Sequence, residues 1–434
     1  MTVRNIIPKD FGAVQNIFAS LRSQNYRIYF TGQGVSLIGT WMQNIALSWL
    51  VYRLTGSVFL LGLIGFTSQI PTFVLTPITG VVSDRYNRLR IMILTQVGFG
   101  LQALIMALLV LFNMVEVWHI IALSLVFGTI TAFDAPARQS LVIDLIDNPA
   151  DLGNAIALNS AIFNSARLIG PAIAGITIAI VGEGICFLIN AVSFIAVIFA
   201  LTRIKIPDKP LAVNPANFKK SFREGFNYTF QSVPIRTLII ELAVLSLIGL
   251  SYIVLLPAYA KEILKGGSDT LGYLMSALGA GALIAAMYMA ARKTVLGLGK
   301  IISSGVIVLG MAIVLGSFSE TFYFSMIVFF FGGLCMVLSL SSINTMLQTI
   351  ADDDKRGRVM SFYAMALMGT TPIGNLLTGT MASGIGIPYT FLICGSVTVL
   401  SGIWFGLNLK SMRTYVKPIY INKGILPALP NDMV

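Results

Sequence analysis

Residues 157–181 read ALNSAIFNSARLIGPAIAGITIAIV. Roughly 20 predominantly apolar residues suffice for a helix to cross a bilayer, so the run is long enough. Yet it carries Arg167 and the pair Gly170-Pro171. Arginine in hydrocarbon is costly, and proline normally breaks a helix interior. Such residues persist where neighbouring helices or a water-filled cavity receive them. The rest of the chain has to supply that setting.

Of 434 residues, 56% are hydrophobic and 11% charged, and mean hydropathy is +0.84. Soluble domains carry about 25% charged residues. Long apolar segments recur from 28–52 to 387–408, at about twelve places, and the alternation of a membrane β-barrel is absent. The expected fold is an all-α membrane protein with twelve transmembrane helices in two pseudo-symmetric six-helix bundles.

A formal charge of +11 raises the thought of nucleic acid, but its placement argues against that. All but four of the 29 Lys and Arg residues fall in alternate loops, if the N-terminus is cytoplasmic. The exceptions are Arg53, Lys261 and Lys265 in the other loops, and Arg167 within a span. This is the positive-inside pattern, and it places both termini in the cytoplasm. No secretory leader is read at the start. Residues 1–27 are expected to be an interfacial segment, with Phe11, Val14, Ile17, Phe18 and Leu21 on one helix face.

The long loop, 205–235, holds Pro207, Pro210 and Pro215. Phe218, Phe222, Phe226 and Phe230 then recur every fourth residue, as in a helix resting on the inner leaflet. It divides a first bundle, 28–204, from a second, 236–409, with a cytoplasmic tail over 410–434. The halves are distantly alike. A shift of 204 lays GPAIAG (170–175) on GNLLTG (374–379), and a shift of 210 lays Leu61-Gly62 on Leu271-Gly272. That fits a duplicated transporter of parallel halves.

Cys186, Cys335 and Cys394 fall within predicted spans and read as packing residues. His119 near an outer loop reads as structural, and no metal, nucleotide or covalent cofactor is expected. AARKTVLGLGK (290–300) is not a phosphate loop, because Ile301 stands where Ser or Thr is required.

GVVSDRYNRLR (80–90) resembles the signature loop of the major facilitator superfamily, G-x-L-a-D-r-x-G-r-k. Gly80, Asp84, Arg85 and Arg88 match; Asn87 replaces the second glycine and Leu89 a lysine. Asparagine tolerates a positive-φ turn, so that geometry is expected to survive. The resemblance implies a latch that holds the inner gate closed. GPAIAG resembles the span-five motif of drug/proton antiporters, G-P-x-x-G-G, through Gly170, Pro171 and Gly175, with Ala174 for one glycine. Longer runs (TGQGVSLIGTWMQNIALSWLVYRLTGS, FDAPARQSLV, KRGRVMSFYAMALMG) are similar to the group of enterobactin exporters and macrolide efflux pumps. Ser124 precedes Gly128 where that branch often has Arg in R-x-x-x-G.

Within the predicted spans the charges are Asp134, Arg167 and Glu241, with Arg138 near a boundary. Counted from the turn near Pro149, Asp134 and Arg167 differ in depth by only about 4–5 Å. They are expected to pair across the hairpin, as a proton-coupled or a purely structural pair; Arg138, one turn from Asp134, is the rival partner. Polar stripes on three helices, Gln33–Thr40–Asn44, Asn164–Arg167 and Thr371–Asn375–Thr378, suggest a shared cavity, although such stripes also serve as interhelical glue. Trp41, Tyr252 and methionines would add apolar contacts, and Glu241 a second acid.

The resulting expectation is a monomeric transporter of the bacterial inner membrane that exports a small organic molecule, a siderophore or drug, against protons. The alternatives are an importer or lipid flippase on the same fold, or a non-transporting receptor or scaffold. Catalytic residues and nucleic-acid partners are not expected.

Overall fold

The computed structural model describes residues 18–204 and 218–427. Among them all regular structure is helical. The helices are α1 (Gln24–Thr55), α2 (Val58–Thr67), α3 (Ile70–Arg85), α4 (Arg88–Leu111), α5 (Val117–Asp144), α6 (Leu152–Val181) and α7 (Glu183–Thr202) in the first half. They continue as α8 (Phe218–Gln231), α9 (Val233–Val244), α10 (Leu256–Ala258), α11 (Ser268–Ala291), α12 (Leu298–Ser317), α13 (Phe322–Ile350), α14 (Arg356–Ile385) and α15 (Ile387–Asn422).

Ten helical stretches among the described residues are long and apolar enough to cross a membrane. The two other long helices, α1 and α14, are not among these ten. They carry the polar stripes through Gln33, Thr40 and Asn44, and through Thr371, Asn375 and Thr378. Polar side chains lower their hydropathy for the same reason that they can line a cavity.

Two segments depart from a plain helix. The second apolar run, expected unbroken over 58–82, is interrupted at Ser68 and Gln69. Pro71 supplies no backbone N–H there, and the Thr72 hydroxyl donates to the Gly128 carbonyl of α5 at 3.0 Å. The run Val233–Ile263 passes through a π turn (Leu245–Gly249), a 3₁₀ turn (Ser251–Leu255) and a second π turn (Tyr259–Ile263). The Ser251 hydroxyl bonds the Leu247 carbonyl at 2.9 Å. Such turns free backbone groups and concentrate at functional sites.

Helices α1 to α7 pack among themselves, and so do α9 to α15. The halves meet mainly along two crossings, α6 on α11 and α2 on α14. Each is closed by a glycine pair. A Cβ at Gly272 would lie 2.9 Å from the Cα of Gly175, and a Cβ at Gly379 would lie 2.8 Å from the Cα of Gly62. These are the positions that the offsets of 204 and 210 superpose. The turns just beyond are also equivalent: Gly182 has φ 84 and Gly386 has φ 83, both with extended ψ, a region essentially restricted to glycine.

Three expectations at the termini and the linker are modified. Of the N-terminal face, Phe11, Val14 and Ile17 lie outside the described residues, while Ala19–Arg22 form a 3₁₀ turn. The Ser20 amide and hydroxyl both bond Asn154, at 3.0 and 2.7 Å, which ties the turn to α6. In the linker, 205–217 lie outside the described residues. Helix α8 docks on α14 rather than resting on lipid alone: Phe230 meets Phe362 edge-on, and Glu224 pairs with Arg358 at 2.9 Å. The tail expected from residue 410 is helical to Asn422, because Met412, Val416 and Tyr420 recur every fourth residue and are buried.

Candidate substrate cavity and ion-pair sites

A cavity of about 680 Å³ lies between the halves, lined by both. From the first half, Asn44, Ser48, Gln102, Thr131 and Arg167 contribute polar groups. The second half contributes a mostly apolar wall, including Ile253, Val254, Met275, Met336 and Leu340, with Thr371 and Asn375 as its polar members. The irregular backbone of 250–257 forms part of that wall. Among the described residues the wall holds no Asp or Glu.

Buried amides fix the cavity floor. Asn190 of α7 donates to Gln43 Oε1 at 2.6 Å, Gln43 donates to Gln102 Oε1 at 2.9 Å, and Gln102 donates to the Leu123 carbonyl at 3.3 Å. The relay joins α7, α1, α4 and α5. Reading spans one helix at a time missed it, although three large amides in apolar runs were the available signal.

The pair expected between Asp134 and Arg167 is not formed. Asp134 is fully buried and paired with Arg138, one turn along α5. Its Oδ1 accepts from the Thr95 hydroxyl at 3.0 Å and from Gln96 Nε2 at 2.8 Å. The physical reason is helix adjacency: α5 packs on α3 and α4, whereas α6 packs on α1 and α11. Equal depth in the membrane does not bring two side chains together.

Arg167 instead enters the central cavity. Its Nη2 lies 3.6 Å from Met336 Sδ, and its guanidinium carbon lies 5.6 Å from the centre of the Trp41 ring. Its Nε is buried without a hydrogen-bond partner. Pro171 cannot donate to the Arg167 carbonyl, and Gly279 of α11 lies directly against that carbonyl, where a Cβ would stand 2.7 Å away. Gly170, against Trp41, gives α6 the same close approach to α1.

Several predicted cavity residues lie elsewhere. Gln33 is buried away from the wall, Thr40 bonds the Ser36 carbonyl, and Asn164 bonds the Ser160 carbonyl at 2.8 Å. On helices packed on several sides, one polar stripe serves more than one neighbour. Glu241 is buried inside the second bundle, where the Ser401 hydroxyl donates to its Oε1 at 3.3 Å and Oε2 has no partner. Tyr252 is enclosed by Phe329 and Phe391. Asn44 and Asn375 do line the cavity.

In the charged loop, the side chains of Asp84 and Arg85, and the surroundings of Gly80, lie outside the described residues. Arg88 pairs with Asp144 of α5 at 2.8 Å. Asn87 does not adopt a positive φ; at φ −60 it caps α4, its side chain accepting from Leu89 and Arg90 N–H. An asparagine cap satisfies helix-end donors that a glycine would leave open. Near the C-terminal end of α1, Arg53 pairs with Glu183 at the start of α7 at 2.6 Å, and the Tyr52 hydroxyl bonds Glu262 of the other half. His119 stacks on Trp118, and its Nδ1 accepts from the Glu116 N–H. The three cysteines are buried and free.

Residues 15–417 match the family described as transmembrane secretion effector. The staphyloferrin A transporter of Staphylococcus aureus is 26% identical, with 88% of this chain and 96% of that protein covered. The multidrug efflux pump Tap of Mycolicibacterium fortuitum is 24% identical over 84% and 91%. The macrolide efflux protein A of Streptococcus pyogenes is 21% identical over 87% and 95%. Among solved structures, the nucleoside transporter NupG superposes with a TM-score of 0.71 at 12% identity, covering 89% of this chain and 99% of that one. A bacterial homologue of ferroportin in an inward-facing state gives 0.67 at 18%, covering 88% and 98%.

Proposed function

The chain belongs to the transmembrane secretion effector family of the major facilitator superfamily, and from that premise we propose that it exports a small organic molecule by alternating access. It is a multi-pass protein of the bacterial plasma membrane, with relatives that include a staphyloferrin A transporter and multidrug and macrolide efflux proteins. The observation that carries the reading is the cavity shared by two bundles whose crossings are related by the same offsets as their sequences. Rocking about those crossings would expose the cavity to one side and then the other.

Adding α1 and α14 to the ten apolar stretches supports a count of twelve spans, and the distribution of basic residues supports cytoplasmic termini. In that orientation the Tyr52–Glu262 contact closes the outer side, and the glycine crossings are the pivot. The loop with Gly80, Asp84, Arg85, Asn87 and Arg88 serves the inner gate. Residues 28–204 and 236–409 are the moving bundles.

Export is driven by proton entry, with Asp134 and Glu241 as the buried acids available to it. The test is accumulation of a labelled carboxylate siderophore in inside-out vesicles under an imposed pH gradient. Accumulation above that of vesicles lacking the chain, abolished by an uncoupler, is expected. Equal accumulation in both vesicle types overturns export, and insensitivity to the gradient overturns antiport.

A further inference from the structure

We infer that the central cavity selects amphipathic organic anions, with Arg167 as the group that receives the carboxylate. This rests on the assignment of the cavity as the substrate site.

Among the described residues Arg167 is a cation without an anion. No carboxylate among the described residues lies within salt-bridge distance of it. Asp134, the acid expected to pair with it, is held by Arg138, Thr95 and Gln96 on a helix that α6 scarcely touches. A structural arginine inside a membrane protein is ordinarily surrounded by acceptors. This one has a thioether, a weak acceptor, beside one terminal nitrogen, an aromatic face beneath the guanidinium, and no partner for Nε. Its remaining N–H groups are available to a ligand in the cavity.

The wall around it is sorted by polarity. Asn44, Ser48 and Thr131 stand on the half that holds Arg167, while Met275, Met336 and Leu340 face them from the other half. A planar guanidinium accepts a carboxylate through two parallel hydrogen bonds. Methionine surfaces adapt to bulky apolar bodies of varied shape. The occupant that satisfies both walls has a carboxylate at one end and an apolar body at the other. An organic cation would bring like charge against Arg167, with no acid in the wall to offset it.

The experiment uses two xanthene dyes of similar size and opposite charge, carboxyfluorescein and tetramethylrosamine. Binding to the purified full chain in nanodiscs is read by fluorescence anisotropy. The wild-type chain is expected to bind the anionic dye at least about tenfold more tightly than the cationic one, with the preference falling at high salt. Arg167→Gln weakens carboxyfluorescein binding by about tenfold or more without weakening tetramethylrosamine, whereas Arg167→Lys keeps part of the preference. The lysine variant separates lost charge from lost fold. Equal binding of the two dyes by the wild-type chain, or unchanged carboxyfluorescein binding in Arg167→Gln, overturns the inference. Because binding needs no gradient, a chain that binds the anion selectively but moves nothing in vesicles would remove the transport reading and leave the anion site standing.

Discussion

Gly175 of α6 and Gly272 of α11 meet backbone to backbone: a Cβ built on Gly175 would stand 3.0 Å from the Cα of Gly272, and one on Gly272 would stand 2.9 Å from the Cα of Gly175. Gly379 and Gly62 repeat the contact at the other crossing. Without hydrophobic attraction between helices in lipid, close backbone approach is a principal source of association. The two crossings therefore cement the halves together, and in the proposed transport cycle they are the fulcrum on which the halves would turn.

Gly272→Val and Gly62→Val are expected to reduce transport to similar extents. Forcing extra carbons into a packed contact costs about 1–3 kcal/mol, and each 1.4 kcal/mol is about tenfold in an equilibrium or a rate. Transport in vesicles should fall by about tenfold or more at normal membrane levels. Gly357→Val is the control, since nothing lies within 4 Å of a Cβ there. Full activity in both crossing variants would remove the fulcrum assignment.

Asp134→Asn is expected to destabilise the chain more than Asp134→Asn combined with Arg138→Gln. Removing one partner of a buried pair leaves the other uncompensated, at about 3–5 kcal/mol when burial is complete. The Arg138 side chain is 31% exposed, so the loss should be smaller. Thermal unfolding in detergent gives the comparison. A double variant no more stable than the single one would show that the pair is not what holds this site.

Glu241→Gln should leave folding intact and uncouple transport from the pH gradient. The carboxyl makes one hydrogen bond, from Ser401, and has no cation within salt-bridge distance among the described residues. An amide keeps its shape and cannot carry a proton. Gradient-driven accumulation is expected to disappear while exchange of labelled for unlabelled substrate continues. Gradient-driven accumulation at the wild-type level would clear Glu241 of the proton-carrying role.

Asn190→Leu removes the donor to Gln43 and opens the amide relay beneath the cavity. A buried carbonyl left unsatisfied costs about 1–3 kcal/mol. The melting temperature should drop by several degrees, and Asn190→Gln should not recover it, because the longer side chain displaces the amide from Gln43. An unchanged melting temperature in Asn190→Leu would mean that water replaces the donor at no cost.

The span pattern was legible because membrane insertion is a local demand. Hydrocarbon requires a sufficient length of apolar helix whatever surrounds it, so the ten apolar stretches stand in the sequence itself. Even α1 and α14, less apolar than the rest, were read as spans by their length and by the charged loops beside them. The likeness of the halves was legible for a related reason: Gly62, Gly175, Gly272 and Gly379 sit where the helix backbones approach too closely for a Cβ, so glycine stands at matching offsets in both halves.

Lateral neighbours were decided by tertiary structure alone. Depth along a helix follows from counting residues, and the count put Asp134 and Arg167 at nearly the same level. Which faces touch depends on how helices are arranged around each bundle, and chain order does not encode that. Hence Asp134 turned inward to Arg138, Thr95 and Gln96, Glu241 to Ser401, and Arg167 to the space between the halves. The sequence determined that these charges lie within the membrane; packing determined which were compensated there and which was left open, because side-chain electrostatics acts across helices that only the fold brings together.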